Sequence, residues 1–262
     1  MTMGALHQGH LDLVRLARAR GGQVVVTIFV NPLQFGPTED FARYPRDLDG
    51  DLATLAGVGA DLVYAPDESD MYPAGPPTVT VDPGPLGDRF EGAVRPGHFA
   101  GVLTVVAKLL ARTGARAAVF GQKDAQQLAA VRQMVRDLDL GVEIIPAAIR
   151  RDADGLALSS RNAYLSPDQR RAALALPRAI AAGRQAAAAA PTPASQIRRL
   201  ARAVLGRGAR PALPEYLDVV DPATFQPVPD EWGGPALIIG SLVAGPARLI
   251  DNAPVRLAPA GH

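Results

Sequence analysis

Met3-Gly4-Ala5-Leu6-His7-Gln8-Gly9-His10, running into Leu11-Asp12-Leu13-Val14-Arg15-Leu16-Ala17-Arg18, is the stretch from which the rest of the chain is read. Leu11, Val14 and Ala17 recur at helical spacing, so a helix opens at or just after the histidines. His7 and His10 stand three residues apart and share one face if the first turn begins there. A helix N-terminus offers unpaired N–H groups and the positive end of the helix dipole, which suits phosphate. Two imidazoles beside it add further donors. The outline is that of a nucleotide site, although such a pair is also a common surface or core feature. A zinc pair is disfavoured, because there is no His-Glu-x-x-His, no cysteine, and only four histidines in all.

Downstream, residues 23–30 (QVVVTIFV) form a continuous apolar, β-branched run, read as a strand buried on both faces in the manner of parallel sheets. It stops at Asn31-Pro32. The following loop therefore lies at the carboxyl end of a buried strand, where ligands bind in doubly wound folds. Gln34 is a neutral donor and acceptor in that loop. Residues 47–55 read as helix, 61–65 as a short strand, 78–81 as an alternating edge strand, 101–110 as a strongly apolar helix, and 117–120 as another buried strand. That strand runs into Gly121-Gln122-Lys123-Asp124, then a helix over 125–136 and a strand at 142–145. Alternating β and α predict an α/β fold, a Rossmann-like parallel sheet with helices on both faces, over residues 1–149. After Pro146 come a polar turn at 150–155, an Ala/Arg-rich helix over 167–190, a helix over 195–205, and strands at 216–220, 236–240 and 247–251. These predict a smaller α+β domain over 150–262.

The 262 residues carry 27 basic and 26 acidic side chains, a net charge of +1, so nothing global marks a binder of nucleic acid or membrane. An anion site, if present, is local. The lack of cysteine excludes disulfides and thiol catalysis and fits a cytoplasmic protein. No apolar run is long enough to span a membrane. Lys123 is delivered by its strand to the same sheet edge as Asn31 and Gln34. It reads either as a flexible point charge for a phosphate or as a solvated loop lysine, and its spacing is not that of a Walker loop. Leu158-Ser159-Ser160-Arg161 offers several phosphate donors in succession; a helix cap is the other reading.

Taken in order, these pieces form one constellation. The stretches MGALHQGHLDLV (3–14), FVNPLQFGPTEDFARYPRDLDGDL (29–52), RPGHFAGVLTVVAKL (95–109), FGQKDAQQLAAVRQMV (120–135), RDADGLALSSRNAYLS (151–166) and YLDVVDP (216–222) resemble the pantoate–β-alanine ligase (pantothenate synthetase) family of the HIGH-type nucleotidyltransferases. The resemblance spans nearly the whole chain. It implies condensation of pantoate with β-alanine, using ATP and Mg²⁺, through a pantoyl-adenylate, with release of pyrophosphate and then AMP. It implies His10 as proton donor, with His7 beside it at the phosphates, and the segment Met3 to His10 lining the ATP site. Lys123 would hold transition-state charge, with Gly121, Gln122 and Asp124 framing the nucleotide and the backbone of Arg150 near the adenine. Leu158, Ser159, Ser160 and Arg161 resemble a KMSKS-type loop closing over phosphate. Gln34 and Gln127 would hold pantoate, with Asn31 and Met3 near them. Arg95 and His98 are weaker candidates, a cap of the following helix being an equal reading for His98. No motif supplies a metal ligand, so Mg²⁺ is expected to ride on ATP. Relatives in this family are homodimers.

Three departures stand out. The family carries a further segment, including a strand, ahead of the MGALH motif; its lack here is read as a misassigned start in preference to an incomplete chain, testable by comparing soluble yield and product formation for this form and one extended upstream. Leu158 stands where many relatives have Met, and Gln122 where Glu is common. Two other readings compete: a different small-molecule nucleotidyltransferase of the superfamily, and an N-terminally truncated, inactive nucleotide-binding protein. The paired glutamines favour the ligase, because a phosphate-bearing acceptor would call for another cation there.

Overall fold

The apolar run at 23–30 makes a shorter strand than its composition suggests, and the segment ahead of the histidines pairs with it. In the computed structural model, which describes residues 1–37 and 41–258, the chain divides into two compact units. The first is Met1–Gln122 with Gln126–Ala148, and the second is Lys123–Ala125 with Ile149–His262.

The first unit runs α1 (Gln8–Ala19), β1 (Val25–Thr27), α2 (Leu48–Ala56), β2 (Leu62–Tyr64), the short α3 (Glu68–Met71) and α4 (Glu91–Val94), α5 (His98–Thr113), β3 (Ala117–Gly121), α6 (Ala125–Asp137) and β4 (Glu143–Ala147). β1 pairs in parallel with β2, Val25 opposite Leu62 and Thr27 opposite Tyr64. Along its other edge β1 meets Thr2, also in parallel, through Thr2 N–H to Thr27 O (2.9 Å) and Phe29 N–H to Thr2 O (3.0 Å). β3 pairs in parallel with β4, Ala117 opposite Glu143. Leu11 and Val14 of α1 are buried with Val24, Val26 and Leu55, each aliphatic side chain contributing about 1.5–3 kcal/mol. α5 buries ten of its sixteen residues, which accounts for its almost unbroken apolar sequence.

The alternating residues 78–81 do not form a strand. Val79 is 83% exposed, and the Val81 N–H donates instead to Thr104 Oγ1 at 3.0 Å. Alternation predicts a strand only where a neighbouring ladder takes the backbone groups, and here a helix side chain takes one of them.

In the second unit the expected long helix is two, α7 (Pro167–Ala173) and α8 (Ala175–Ala189), followed by α9 (Ala194–Gly208). Pro177 has no N–H to give the carbonyl of Ala173, which explains the break at Leu174. Three antiparallel strands follow, β5 (Leu213–Val220), β6 (Gly234–Ala244) and β7 (Ala247–Leu257), in that spatial order. β6 and β7 are longer than their most apolar stretches, and β7 runs through Pro254, a residue tolerated because β7 is an edge strand. The alanines of the helices, among them Ala173, Ala179, Ala194 and Ala201, are buried with Ile180, Ile197, Ile238 and Leu242. Small side chains there let the helices lie close to the sheet. No helix among the described residues is long and apolar enough to cross a membrane.

Candidate active site

The helix opens as expected. His7 is the extended N-cap residue of α1 and Gln8 its first residue. The His7 backbone N–H donates to His10 Nδ1 at 3.3 Å, and the two rings stack with centroids 4.0 Å apart. Because an N–H only donates, Nδ1 of His10 carries the lone pair, and the neutral ring is the Nε2–H tautomer. His10 therefore presents a donor through Nε2.

The loop ahead of His7 is held from a distance. Gly4 and Ala5 adopt left-handed backbone, φ +82 and +50. The N–H groups of Ala5 and Leu6 donate to the Asp51 carboxylate at 3.1 and 2.8 Å. Asp51, on α2, is only 5% exposed. A Cβ on Gly4 would stand 2.8 Å from Asp51 Oδ2. The expectations from sequence do not include Asp51, since the backbone it holds lies some 45 positions earlier.

At the carboxyl end of β1, Asn31 and Gln34 are both buried. Asn31 Nδ2 donates to Gln34 Oε1 (3.2 Å) and Gly101 O (3.1 Å), while Asn31 Oδ1 accepts from the Tyr72 hydroxyl (2.7 Å) and the Leu33 N–H (3.3 Å). That is the full capacity of an amide, so Asn31 acts as a brace for Gln34. Burial, aided by Glu68, pushes the Tyr72 phenol up to about 12. Gln34 Nε2 donates to Met3 Sδ at 2.9 Å, a weak acceptor that an oxygen ligand readily replaces. The Gln34 carbonyl accepts from His98 Nδ1 (2.9 Å) and Arg95 Nη2 (3.3 Å), and Arg95 Nη1 lies 3.0 Å from His98 Nε2. A guanidinium only donates, so His98 is neutral with its proton on Nδ1. Arg95 and His98 thus fasten the backbone of the Gln34 loop. α5 reaches that loop because residue 101 is glycine: a Cβ there would stand 2.2 Å from Leu33 O.

The adjacent glutamines of α6 differ in use. Gln126, 4% exposed, accepts from Glu91 N–H (3.1 Å) and donates to Leu86 O and Arg89 O, both at 2.8 Å. Its amide is spent on the 86–91 loop. The Gln127 side chain makes no hydrogen bond among the described residues, which leaves its amide available for a ligand. Gly121 closes β3 with open space where a side chain would be, and Gln122 follows it.

In the second unit, Lys123 and Asp124 lie on the single turn after β3. The Lys123 carbonyl accepts from Asn252 Nδ2 at 3.0 Å, and its ammonium makes no ion pair or hydrogen bond among the described residues. Arg150 is exposed, and its carbonyl accepts from Leu158 N–H at 2.9 Å. Ser159 caps the turn Ser160–Tyr164, its Oγ accepting from Arg161 N–H at 3.3 Å. Ser160 has no side-chain partner among the described residues. This segment rests on a scaffold of ions that the sequence did not announce. Arg151 makes a bidentate pair with Asp251 (2.7 and 2.8 Å), and Arg170 holds Asp152 and Asp154 at 2.6 and 2.7 Å. The Arg170 hydrogen bond holds the Asp154 carboxyl below the usual range, and the Asp251 hydrogen bond raises the Arg151 guanidinium. Asn162 Nδ2 ties the turn to Ala157 O at 3.1 Å.

Comparison with known proteins places the chain in a family. Residues 1–254 match the family model described as pantoate–β-alanine ligase. The chain is 56% identical over 260 residues to a pantothenate synthetase of Acidothermus cellulolyticus, covering 98% of this chain and 84% of the relative. It is 46% identical over 303 residues to one of Streptomyces avermitilis, covering 97% and 91%. A crystal structure of pantothenate synthetase from Thermus thermophilus superposes with a TM-score of 0.91 at 48% identity, covering 98% of this chain and 92% of that one. A pantoate–β-alanine ligase from Francisella tularensis, complexed with β-γ ATP and β-alanine, superposes with a TM-score of 0.77 at 32% identity, covering 96% and 87%. Extended over almost the whole chain at this level of identity, the agreement establishes that the protein belongs to the pantoate–β-alanine ligase family.

Proposed function

We propose that the protein condenses pantoate with β-alanine at the expense of ATP. A carboxylate is a poor acylating agent because oxide is a poor leaving group, and adenylation supplies a better one. The pantoate carboxylate attacks the α-phosphate and displaces pyrophosphate; the β-alanine amine then attacks the acyl carbon and displaces AMP. The observation that carries this reading is the neutral amide pair. Among the described residues the Gln34 side chain donates only to a thioether and the Gln127 side chain has no partner, which suits a small hydroxy acid better than a phosphorylated acceptor. The Nε2–H of His10 serves as a hydrogen-bond donor to phosphate oxygen, with His7 beside it. Lys123 supplies a point charge, and Ser160 and Arg161 supply further phosphate donors. A single donor aimed at developing charge is typically worth about 2.7–4 kcal/mol.

Among the described residues no group of three or more His, Cys, Asp or Glu is gathered to hold a metal ion. Mg²⁺ is proposed to enter on the ATP phosphates. The same reading makes the protein a cytoplasmic homodimer. The decisive experiment follows pyrophosphate and AMP with pantoate alone and with pantoate plus β-alanine. AMP release that needs both substrates supports the ligase. Pyrophosphate release that stops at a stable adenylate, with or without β-alanine, points to a plain nucleotidyltransferase.

A further inference from the structure

The buried carboxylate of Asp51 takes no part in the chemistry above, yet the histidine loop is fastened to it. We infer that Asp51 is a positioning residue, setting the placement of His7 and His10 through the backbone of Ala5 and Leu6; the inference rests on the role proposed for those histidines. Each carboxylate oxygen has its own partner: Oδ1 accepts from Leu6 N–H at 2.8 Å and Oδ2 from Ala5 N–H at 3.1 Å. The two bonds hold Ala5 at φ +50, a region unfavourable to any residue with a side chain. Gly4 leaves the space that Oδ2 fills, since a Cβ there would meet that oxygen at 2.8 Å. Asp51 lies in the first turn of α2, at the end of that helix where backbone N–H groups point outward. The lever is short. Leu6 N–H is one residue before His7, and His7 N–H fixes the tautomer of His10. Asparagine has the same shape but one acceptor oxygen, so its NH₂ would face a backbone N–H, donor against donor.

The test uses the full chain with Asp51→Asn and, as a second variant, Gly4→Ala, which keeps the carboxylate and pushes against it. Pyrophosphate release at saturating ATP and pantoate gives kcat, substrate titrations give KM, and long-range ¹H–¹⁵N spectra report the tautomer of His10. For folded Asp51→Asn, kcat is expected to fall about 100-fold, as for a catalytic group misplaced by an ångström. The KM values should stay within about threefold, and the His10 signal should move from the Nε2–H pattern toward a mixture. Gly4→Ala should move both readouts in the same direction, and it decides the matter if Asp51→Asn does not fold. Parental kcat with a parental His10 signal overturns the inference. So does a loss of kcat with the His10 tautomer unchanged, or a failure of both variants to fold, which would make the role structural. If the parent protein releases no pyrophosphate with pantoate, the proposed function fails, while the His10 signal in the variants still decides the positioning role.

Discussion

Replacing Gly101 by alanine sets two effects of opposite sign against each other. Helix propensity alone favours alanine by about 1 kcal/mol within a helix such as α5. Against this, the new Cβ would stand 2.2 Å from Leu33 O and 2.4 Å from Leu33 C. Both are backbone atoms, so no rotamer change relieves the contact. Relief requires α5 and the 31–34 loop to part by roughly 1 Å, which stretches the 3.1 Å bond from Asn31 Nδ2 to Gly101 O. Overpacking of this kind costs about 1–3 kcal/mol, so the steric term is expected to win and the variant to be less stable than the parent. The same movement displaces Gln34, which shares Asn31 as its brace, so the KM for pantoate should rise about tenfold or more. Urea denaturation followed by circular dichroism measures the first effect, and initial rates of pyrophosphate release against pantoate measure the second. A Gly101→Ala protein more stable than the parent, with a parental KM, would refute the reasoning, because helix propensity would then have outweighed a contact that was never tight.

Other outcomes follow from the same geometry. Lys123→Ala should lower pyrophosphate release by about 100-fold or more while the denaturation midpoint stays at the parental value, because the ammonium makes no ion pair or hydrogen bond among the described residues. Gln126→Ala should cost about 2–4 kcal/mol, since the Glu91 N–H and the Leu86 carbonyl each lose a buried hydrogen bond. Its neighbour Gln127→Ala should leave stability within about 0.5 kcal/mol and raise the KM for pantoate, so melting curves and kinetics on the two variants should separate cleanly. The Tyr72 phenol, raised to about 12, favours the folded state while protonated. Its contribution is full below the ordinary tyrosine value of about 10 and is lost as pH climbs through 12. An absorbance titration should therefore show one of the five tyrosines ionising late, a phase that Tyr72→Phe abolishes.

Much of the fold was legible because its signals are local. The 3–4 spacing of Leu11, Val14 and Ala17 announces α1, and the β-branched run before Asn31 announces β1; both reside in a few consecutive residues. Local reading failed where a tertiary partner decides the outcome. Residues 78–81 alternate correctly for a strand, but Thr104 takes the Val81 N–H. The long alanine-rich stretch reads as one helix until Pro177 is matched with the Ala173 carbonyl. Pro254 looks like a stop signal and is none, because β7 is an edge.

The candidate site divides along the same line. Residues expected to meet substrate declare themselves by type, as histidine at a helix start, amide after a strand, or lysine on a turn. The residues that hold them in place do not. Asp51, Tyr72, Gly101 and Gln126 act on backbone or side chains 35 to 70 positions away, and nothing in their neighbours reveals the partner. One signal was nonetheless available. Gln126 lies four residues before Ala130 on the buried stripe of α6, and a polar side chain on an apolar stripe must find hydrogen bonds inside the protein or destabilise it. The same argument applied to Asp51, four residues before the buried Leu55 on α2, predicts a buried carboxylate in need of donors. The nearby stretch with donors to spare is the one whose chain turns left-handed at Gly4. A polar residue on the apolar face of a helix thus marks where a loop is tethered, even when the sequence does not say which loop.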